Sequence, residues 1–558
     1  MWGSTLNHPG QSSPYSIFHI PNSILLFCVF LLAACGSHES NLESGAREQV
    51  FHFGNGDEPQ DLDPQTVTGI PETHIVLALF EGLVSKDPAD LSARPGVAER
   101  WTISSDQRIY TFTLRPDARW SNGEPLTAAD FVWSWRRALT PALGNLYAYM
   151  YFHIRNAEAF HRGTISDFTQ VGVRALDDRT LEVELNEPVP YFLQLLDHHS
   201  FYPVNPRVIE RFGAMDERGT RWTRPGNFVG NGAFVLDDWQ LNRMLTVKRN
   251  PHYWDAVNVR LNGIHFYPIP IASTEERMYR AGQLHVTDRV PAEKIAVYRE
   301  RDPASLRITP FLGSYFYRLN VNVPPLEDVR VRRALALAVD RGQIVNRITL
   351  GGQQPAGFLT PPGTAGYTPD AGVSHDPEAA RALLAAAGFP GGRGFPELEL
   401  MFNTDELHRK IATAIQQMWS RELGIHVALV SQDWKVQMSR ESNLQYEISR
   451  ASWIGDYVDP TTFLDLFRSA GGNNRTGWKN AAYDALLDEA ARATDTAARL
   501  DRLRQAENLL LQELPIVPLY IYTQVRLISP QLCGWQANLL DQHPYKYLWI
   551  DASGKDCR

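Results

Sequence analysis

The sequence predicts a mixed α/β fold with more than one domain, and three observations support this prediction. The chain has 558 residues, which is too long for a single hydrophobic core. Its second half alternates helical patterns with short strand patterns, as expected for a sheet covered by helices. Hydrophobic residues make up 44% and charged residues 21% of the chain, which is typical of a folded protein. We therefore expect about two to four domains.

The first half of the chain carries helix, strand and turn signals in succession. Val76–Val84 is apolar with a helical pattern, and the alternation of Tyr110–Arg115 predicts a strand. Asn122 and Gly123 form a hairpin-type turn signal, and Thr127 is predicted to cap the helix that follows.

The second half contains the clearest alternation of helices and strands. Asp376–Gly388 is an alanine-rich helix with an aspartate at its start and a glycine at its end. The strand Leu398–Phe402, the amphipathic helix Leu407–Trp419 and the apolar stretch Val427–Val430 follow it. This order predicts β-α-β units that share one sheet.

The amino terminus has the features of a lipoprotein signal. Residues 1–34 contain no Lys, Arg, Asp or Glu, and their apolar run Ile24–Ala34 is too short to span a bilayer. This run ends in Leu-Ala-Ala-Cys35-Gly, which resembles a bacterial lipobox. The resemblance implies a signal peptide over 1–34, lipidation of Cys35 and a polar, linker-like tether over 35–48.

The four cysteines then divide between the signal and the mature chain. Cys28 would leave with the signal peptide and Cys35 would carry lipid, so that Cys533 and Cys557 remain. These two could form a disulfide or stay as two independent thiols, and the sequence leaves both alternatives open. No C-x-x-C motif is present, so we predict no zinc site and no thioredoxin-like activity.

Composition and motifs exclude several classes of function. The net charge of -9 and the lack of a basic stripe argue against a nucleic-acid partner. The chain has no G-x-S-x-G, H-E-x-x-H or G-x-x-x-x-G-K-[ST] motif, and we predict no catalytic residues, metal or cofactor. His198 and His199 are the one adjacent histidine pair, and on a strand their side chains would point to opposite faces.

The stretch Arg450–Pro460 is the strongest local candidate for a binding site. The alternating residues Tyr446–Arg450 predict a strand, so the Trp453 indole and the Asp456 carboxylate fall where this strand ends in a loop. The alternative is an ordinary surface ion pair between Arg450 and Asp456 beside a core tryptophan.

Several runs along the chain resemble those of one protein family in their order and spacing. These runs are Gly69–Glu72, Leu79–Leu83, Thr180–Phe192, Pro225–Asn227, Asn231–Phe234, Asp328–Arg332 and Ile516–Tyr522. Over nearly the whole mature chain the sequence resembles the solute-binding proteins of peptide and nickel ABC importers (family 5), and among them the bacterial periplasmic oligopeptide-binding proteins.

The resemblance implies a periplasmic-binding-protein-like α/β fold of the large, peptide-binding type II class. Two lobes would be joined by crossing hinge strands, and an extra domain would be inserted in the first lobe. We predict that lobe I comprises residues 49–80, 206–308 and 524–558, that the inserted domain covers 81–205, and that lobe II covers 309–523. The extended segments Phe311–Asn320 and Ile521–Arg526 lie near the expected crossings. Closure of the lobes around a ligand would bury it.

The resemblance also implies a set of ligand contacts. The predicted peptide-binding residues are Ile70, Tyr147, His408, Trp434, Arg440, Arg450, Trp453, Ile454, Gly455, Asp456 and Tyr522. Asp456 would bind the peptide ammonium, because an ammonium buried without a counter-charge is very costly. Trp453 to Gly455 would pair with the peptide backbone as an added strand. His408 and Arg450 would face the carboxyl end of the peptide.

Some of these residues have simpler explanations without the family. Trp434 and Tyr522 could be core aromatics, and His408 could lie on a solvated helix face.

The sequence departs from the family pattern in two places. Glu441 stands where relatives have an arginine that captures the carboxylate of short peptides; Arg440 is its neighbour, but neighbours on a strand face opposite ways. Gly313 and Ile454 stand where some relatives have a cysteine pair.

The function implied is that of a monomeric, lipid-anchored receptor of the periplasm or cell envelope, which delivers oligopeptides to an ABC permease without catalysis. The same fold could instead bind a muropeptide, a signalling peptide or another solute. A secreted peptidase that uses Asp456 as acid or base is a further alternative. The sequence leaves open the length and side chains of the ligand, the membrane that holds the anchor, and the true start codon.

Overall fold

A computed structural model describes residues 39–493, 495–555 and 557 of the chain, without the side chain of Lys435. The predicted signal peptide and Cys35 lie outside the described residues. Within the described part, no helix combines the length and the apolar character needed to cross a membrane.

The strands are numbered in chain order. They are β1 (Val50–Gly54), β2 (Val84–Lys86), β3 (Ala93–Pro95), β4 (Ala98–Ile103), β5 (Ile109–Leu114), β6 (Val173–Asp177), β7 (Thr180–Glu184), β8 (Phe234–Gln240), β9 (Met244–Arg249), β10 (Gly263–Tyr267), β11 (Leu306–Leu319), β12 (Gln354–Pro355), β13 (Leu398–Asn403), β14 (Val427–Gln432), β15 (Ile448–Ile454), β16 (Ile516–Leu527), β17 (Leu532–Cys533) and β18 (Trp549–Ile550).

The α-helices are numbered in the same way. They are α1 (Asn41–Glu48), α2 (Ile70–Leu79), α3 (Ala128–Leu139), α4 (Ala157–His161), α5 (Phe192–Leu195), α6 (Pro206–Phe212), α7 (Ala272–Arg280), α8 (Ala292–Arg301), α9 (Val329–Leu337), α10 (Arg341–Ile344), α11 (Pro377–Ala386), α12 (Glu406–Leu423), α13 (Trp434–Ser442), α14 (Thr461–Leu464), α15 (Ala481–Arg492) and α16 (Thr496–Glu513).

Local sequence signals explain several helix starts. Thr127 and Asp130 form a capping box at the start of α3, as predicted from Thr127. The side chain of Asp376 accepts the N–H of Ala379 at the start of α11, and Asp405 accepts the N–H of His408 at the start of α12. The cap at Asp405 matters for the site described below, because it fixes the position of His408.

Three larger sheets organise the molecule. Sheet A has the order β1-β10-β9-β8, sheet B has the order β4-β5-β7-β6, and sheet C has the order β12-β16-β11-β15-β13-β14. Sheet B is antiparallel throughout, whereas sheets A and C are mixed. The mixed α/β architecture predicted from the sequence is confirmed. The sheets fall within the predicted lobe I, inserted domain and lobe II, except that β11 and β16 cross the predicted lobe boundaries, and the boundaries themselves stay a prediction.

The two longest strands connect sheet C to sheet A. β11 and β16 pair antiparallel from Leu306–Leu527 to Arg318–Ile516. Beyond them, Val286 bridges both Phe53 of β1 and Ile528, which follows β16 directly. These strands are the extended segments that the sequence predicted near the hinge.

The amino-terminal tether prediction is wrong for residues 41–48, which form helix α1. The Leu42 N–H donates to Gly282 O at 3.0 Å, and the Asn41 side chain donates to Gln283 O at 3.1 Å. Gly45 packs so closely that an added Cβ would lie 2.8 Å from the His285 ring. The segment therefore has tertiary contacts that a free linker lacks.

The structure also tests the predicted helix near Val76 and the two alternatives for Cys533 and Cys557. The apolar helix near Val76 begins earlier than predicted and ends at Leu79, because Val84 belongs to strand β2. Cys533 and Cys557 are joined in a disulfide, so the alternative of two independent thiols is wrong.

Candidate functional site

One edge of β15 becomes free at Arg450. β15 pairs with β11 along its whole length, but it pairs with β13 only through Ile448 and Ser449. Helix α13 covers the first free position, where the Gln437 side chain donates to Arg450 O at 2.7 Å. From Ala451 to Ile454 the edge is not paired with another strand of the described chain, so it can accept an added strand.

The register shows which backbone groups point to this free edge. The Gly455 N–H donates to Leu312 O at 2.7 Å, so Gly455 turns toward β11. Backbone groups alternate along an antiparallel strand, and therefore Ile454 and Ser452 turn their N–H and C=O groups away from β11. The sequence analysis predicted Trp453 to Gly455 for this role and missed Ser452, since only the pairing partner reveals which residues of the strand are free.

Asp456 lies just beyond β15 as a buried carboxylate without a cation. Its side chain is only 13% exposed, and His198 Nε2 lies 3.8 Å from Asp456 Oδ1. Asp456 Oδ2 is buried without a hydrogen-bond partner, and no Lys or Arg of the described residues lies within 4 Å of the carboxylate. Burial raises the pKa of Asp456 to about 7, while the more distant Lys86 lowers it.

His198 is a functional candidate that the sequence analysis missed. The expectation of opposite faces for His198 and His199 is wrong, because the two residues begin a 3₁₀ turn and their rings are 4.2 Å apart. Burial lowers the pKa of His198 well below its usual value, so at neutral pH this ring carries no charge to balance Asp456. His198 and Asp456 are far apart in the sequence, so no local sequence pattern indicates that they are close in space.

Aromatic residues from the inserted domain enclose the Asp456 end of the site. The Tyr147 ring lies 4.4 Å from the His198 ring. Burial raises the pKa of Tyr147 well above its usual value, and the charge of Asp456 raises it further. Tyr191 stacks on Tyr457 with ring centroids 5.0 Å apart. The predicted residues Tyr147 and Asp456 are thus brought together from separate parts of the chain.

Arg450, His408 and Tyr522 meet around Tyr315 at a second position. The Arg450 guanidinium donates to the Tyr522 hydroxyl at 2.9 Å and lies 4.7 Å over the Tyr315 ring. His408 Nδ1 lies 3.3 Å from the hydroxyl of Tyr315, and burial, followed by the charge of Arg450, lowers the His408 pKa well below its usual value. The Tyr522 hydroxyl therefore faces the site, and His408 is buried, so its alternative placement on a solvated helix face is wrong.

Arg450 is a buried cation without an anion. Its Nε has no hydrogen-bond partner, and within the described part of the chain no Asp or Glu lies within 4 Å of it. The alternative of an ion pair between Arg450 and Asp456 is wrong, because no such contact forms. The site thus holds one unmatched cation and one unmatched anion, with the free edge of β15 between them.

Arg289 links the Arg450 end to sheet A. It follows the bridge at Val286, and its guanidinium lies 3.4 Å from Asp57 and 3.6 Å from Asp405. Asp405 caps α12 beside His408, so this contact joins the sheet A side to the sheet C side next to the site.

The segment around Glu441 is a helix rather than the strand that the sequence analysis assumed. Glu441 is fully buried in α13 and pairs with Arg318 and, at 3.5 Å, with Arg475. Arg440 lies on another face of the helix, where it donates to Gln445 O at 2.9 Å and contacts Glu399 at 3.1 Å. Arg440 and Glu441 are therefore neighbours on a helix, and the expectation that they lie on opposite faces of a strand is wrong. A role for Arg440 in ligand binding stays a prediction.

The remaining predicted residues are placed as follows. Trp434 is 46% exposed at the start of α13 and Ile70 is 48% exposed at the start of α2, so Trp434 is not the core aromatic that the alternative proposed. Gly313 and Ile454, which replace the cysteine pair of some relatives, lie directly opposite each other on β11 and β15. An added Cβ at Gly313 would lie 2.6 Å from Ile454 Cδ1, so the isoleucine occupies that space.

No group of three or more His, Cys, Asp or Glu residues within the described ranges is placed to hold a metal ion. The geometry instead offers charge and hydrogen-bonding groups for an elongated ligand with a cation at one end and an anion at the other.

Comparisons with known proteins identify relatives over most of the chain. Residues 92–475 match the family of bacterial extracellular solute-binding proteins, family 5 (middle region). The periplasmic oligopeptide-binding protein OppA of Escherichia coli is 38% identical over 499 residues, which are 88% of this chain and 90% of OppA.

Two solved structures of one relative match this chain with different TM-scores. The structure of the murein tripeptide binding protein MppA of Escherichia coli is 37% identical, with a TM-score of 0.85 over 90% of this chain and 98% of MppA. The unliganded open form of MppA gives a TM-score of 0.67 at the same identity and coverage.

These neighbours confirm the predicted two-lobe, type II binding-protein fold. Because the family match spans more than half of the chain and relatives above 30% identity cover nearly all of it, the chain belongs to family 5 of the bacterial extracellular solute-binding proteins.

Proposed function

We propose that the chain binds oligopeptides with free termini between its two lobes and delivers them to the permease of an ABC importer. The observation that carries this proposal is the pair of buried, unmatched charges at Asp456 and Arg450, separated by a free strand edge. A peptide is a strand with an ammonium at one end and a carboxylate at the other. Relatives named as oligopeptide-binding proteins support the same ligand class.

The direction of the bound peptide follows from the two charges. Its ammonium would donate to Asp456 Oδ2, which has no hydrogen-bond partner within the described chain. Its backbone would pair with Ser452 and Ile454, so recognition would depend little on side chains. Its carboxylate would accept from Arg450, whose Nε is also without a partner. The peptide therefore runs antiparallel to β15.

The two buried charges without partners in the chain explain how ligand binding favours closure. A buried carboxylate or guanidinium without a partner is destabilising, and a ligand that supplies both partners removes that cost. The enclosing contacts come from opposite sides of the site: Tyr191 stacks on Tyr457, and Arg289 contacts Asp405. A closed arrangement with the peptide inside is thus more stable than a closed arrangement without it.

The protein acts by binding, and it carries out no turnover in this proposal. Among the described residues, His198, which is neutral, lies near the Asp456 carboxylate, and the Asp456 N–H donates to the hydroxyl of Thr462 at 3.0 Å. The alternative of a secreted peptidase requires a group to activate water or attack a peptide bond, and the family relatives are solute-binding proteins.

Anchoring at Cys35 completes the proposal. The lipobox-like sequence supports lipidation of Cys35 and retention of the protein at a membrane. Replacement of Cys35 by Ser should move the protein from the membrane fraction to the soluble fraction of cells. Continued membrane association of Cys35→Ser would contradict the anchor.

Calorimetric titration with trialanine, N-acetyl-trialanine and trialanine amide tests the ligand assignment. We expect tight binding of the free peptide and at least tenfold weaker binding when either terminus is blocked, because each block removes one charged hydrogen bond. Equal binding of all three peptides, or recovery of cleaved peptide after incubation, would contradict the proposal.

A further inference from the structure

A second charged cluster lies beside the proposed peptide site, and its charges do not balance. Glu441 is the shared partner of Arg318 and Arg475, the latter at 3.5 Å. Ser449 Oγ donates to the same carboxylate at 2.7 Å, and the Gln437 side chain donates to it at 3.2 Å. The carboxylate is therefore saturated with donors.

Each of the two arginines, by contrast, has an N–H donor without a hydrogen-bond partner. Arg318 Nε and Arg475 Nε are both buried without hydrogen-bond partners. Arg318 is 5% exposed, and no other acidic residue among those described forms an ion pair with either guanidinium. The second contact of Arg475 is the thioether of Met438 at 3.3 Å, which is a weak acceptor. The cluster carries one net positive charge and lacks one acceptor group.

The cluster adjoins the free edge of β15. Gln437 contacts both Glu441 and the carbonyl of Arg450, the last residue before the free edge. The side chain of Arg475 is 16% exposed, so it reaches an accessible surface while its Nε is buried.

We propose that Arg475, supported by Arg318, forms a subsite for an acidic side chain of the bound peptide. A carboxylate there would accept from the spare guanidinium donors and neutralise the net charge. This inference rests on the proposed function, since it names the side chain that a bound peptide would present.

The chemistry favours a side-chain carboxylate over a neutral or basic group. Arginine binds a carboxylate through paired donors, and such charge-assisted bonds are stronger than neutral ones. A lysine side chain at the same place would meet two arginines and only a saturated glutamate. The cluster thus predicts selection among peptides, whereas the strand edge alone would accept any sequence.

The test is a positional scan of tripeptides by calorimetric titration. Trialanine is compared with tripeptides in which Glu, Gln or Lys replaces one alanine at a time. We expect one position at which Glu binds about tenfold tighter than Gln, with Lys weaker than both. In Arg475→Gln the ratio of Glu to Gln affinity at that position should fall to about one, while trialanine binding is retained.

Two further variants keep the test decisive. Arg475→Lys retains the charge and should retain the preference for Glu over Gln, even where Arg475→Gln fails to fold. Arg502→Gln removes an arginine from an exposed pair with Glu489 and should leave the preference unchanged. Equal affinities for Glu and Gln peptides at every position of the wild-type protein would overturn the subsite. A preference that persists in Arg475→Gln would overturn it as well. Failure of trialanine itself to bind would overturn the proposed function, and the subsite with it.

Discussion

Asp456, which follows β15, and Glu441, which lies in helix α13, are carboxylates with little exposure, and their partners within the chain differ. Glu441 receives hydrogen bonds from Arg318, Ser449 and Gln437, so its charge is matched within the chain. Asp456 has one oxygen without a partner, and the basic group of the described residues within 4 Å of its carboxylate is a neutral histidine. A buried charge that has partners within the chain contributes to the folded structure. A buried charge without such partners is destabilising until a ligand supplies a group of opposite charge.

Asp459 shows that this difference is not a property of the loop. It lies three residues after Asp456 and is also buried, yet Arg499 donates two hydrogen bonds to it, at 2.8 and 2.9 Å. The same short segment thus contains one structural and one unmatched aspartate. The following experiments test this difference between the carboxylates.

The largest effect is expected for loss of Glu441. Glu441→Ala leaves Arg318 and Arg475 buried without an anion, so the unfolding free energy of the unliganded protein should fall by about 3–5 kcal/mol. Urea denaturation followed by circular dichroism measures this change. Glu399→Ala, which removes a half-exposed partner of Arg440, serves as a control and should change stability by less than about 0.5 kcal/mol. A loss below about 1 kcal/mol in Glu441→Ala would contradict the assignment of Glu441 to the scaffold.

The next effect concerns ligand affinity at Asp456. Asp456→Asn should weaken binding of a free tripeptide by about 2–4 kcal/mol, or roughly 30- to 1000-fold, because the ammonium loses its buried counter-charge. The N-acetylated peptide should bind the variant and the wild type equally.

The stability of the two aspartate variants should change in opposite directions. Asp456→Asn should leave the thermal midpoint of the unliganded protein unchanged or higher at pH 8, since it removes an unpaired buried charge. Asp459→Asn should lower that midpoint, because Arg499 loses its partner. A lower midpoint for both variants would mean that Asp456 is structural too.

A smaller effect is expected at the other end of the peptide. Arg450→Gln should weaken binding of the free tripeptide by about ten- to a hundredfold, because the neutral amide makes a weaker bond to the carboxylate. Binding of the amidated peptide should change little. If amidated and free peptides lost affinity equally, Arg450 would act through its contacts with Tyr522 and Tyr315 rather than through the ligand.

The smallest effect is a dependence of affinity on pH. The pKa of Asp456 is raised to about 7 by burial, and a bound ammonium would lower it. Peptide affinity should therefore fall as pH decreases below about 7, by roughly fivefold or more between pH 8 and pH 6. Titrations in buffers of different ionisation enthalpy should show proton release on binding near pH 6–7. Asp456→Asn should abolish both the dependence and the release.

The stability of the unliganded protein has the opposite pH dependence. Because the folded-state pKa of Asp456 is raised from 3.8 to about 7, its contribution to stability is complete below pH 3.8 and is lost as pH rises through 7. The difference between the unfolding free energies of wild type and Asp456→Asn should follow this course. A constant difference across the range would contradict the unmatched carboxylate.

Much of the local structure was predictable from the sequence. The capping residues Thr127 and Asp376 and the strand that leads to Arg450 depend on interactions within a few residues, and the structure has them close to the predicted positions. Arg440 and Glu441 were assumed to be neighbours on a strand, but they lie in the helix Trp434–Ser442. Its short length and mixed polarity give no decisive periodicity, and the choice depends on how Gln437 and Glu441 pack against β15.

The sequence by itself determined the fold class, the strand that ends in a loop at Asp456, and the charged residues available for a ligand. These features follow from residue types and local patterns. Tertiary structure decided which charges are matched: it placed Arg318 and Arg475 on Glu441, placed neutral His198 beside Asp456, and left Arg450 without an anion. The physical reason is that the energy of a buried charge depends on groups brought near it from distant parts of the chain, and no local pattern records that distance.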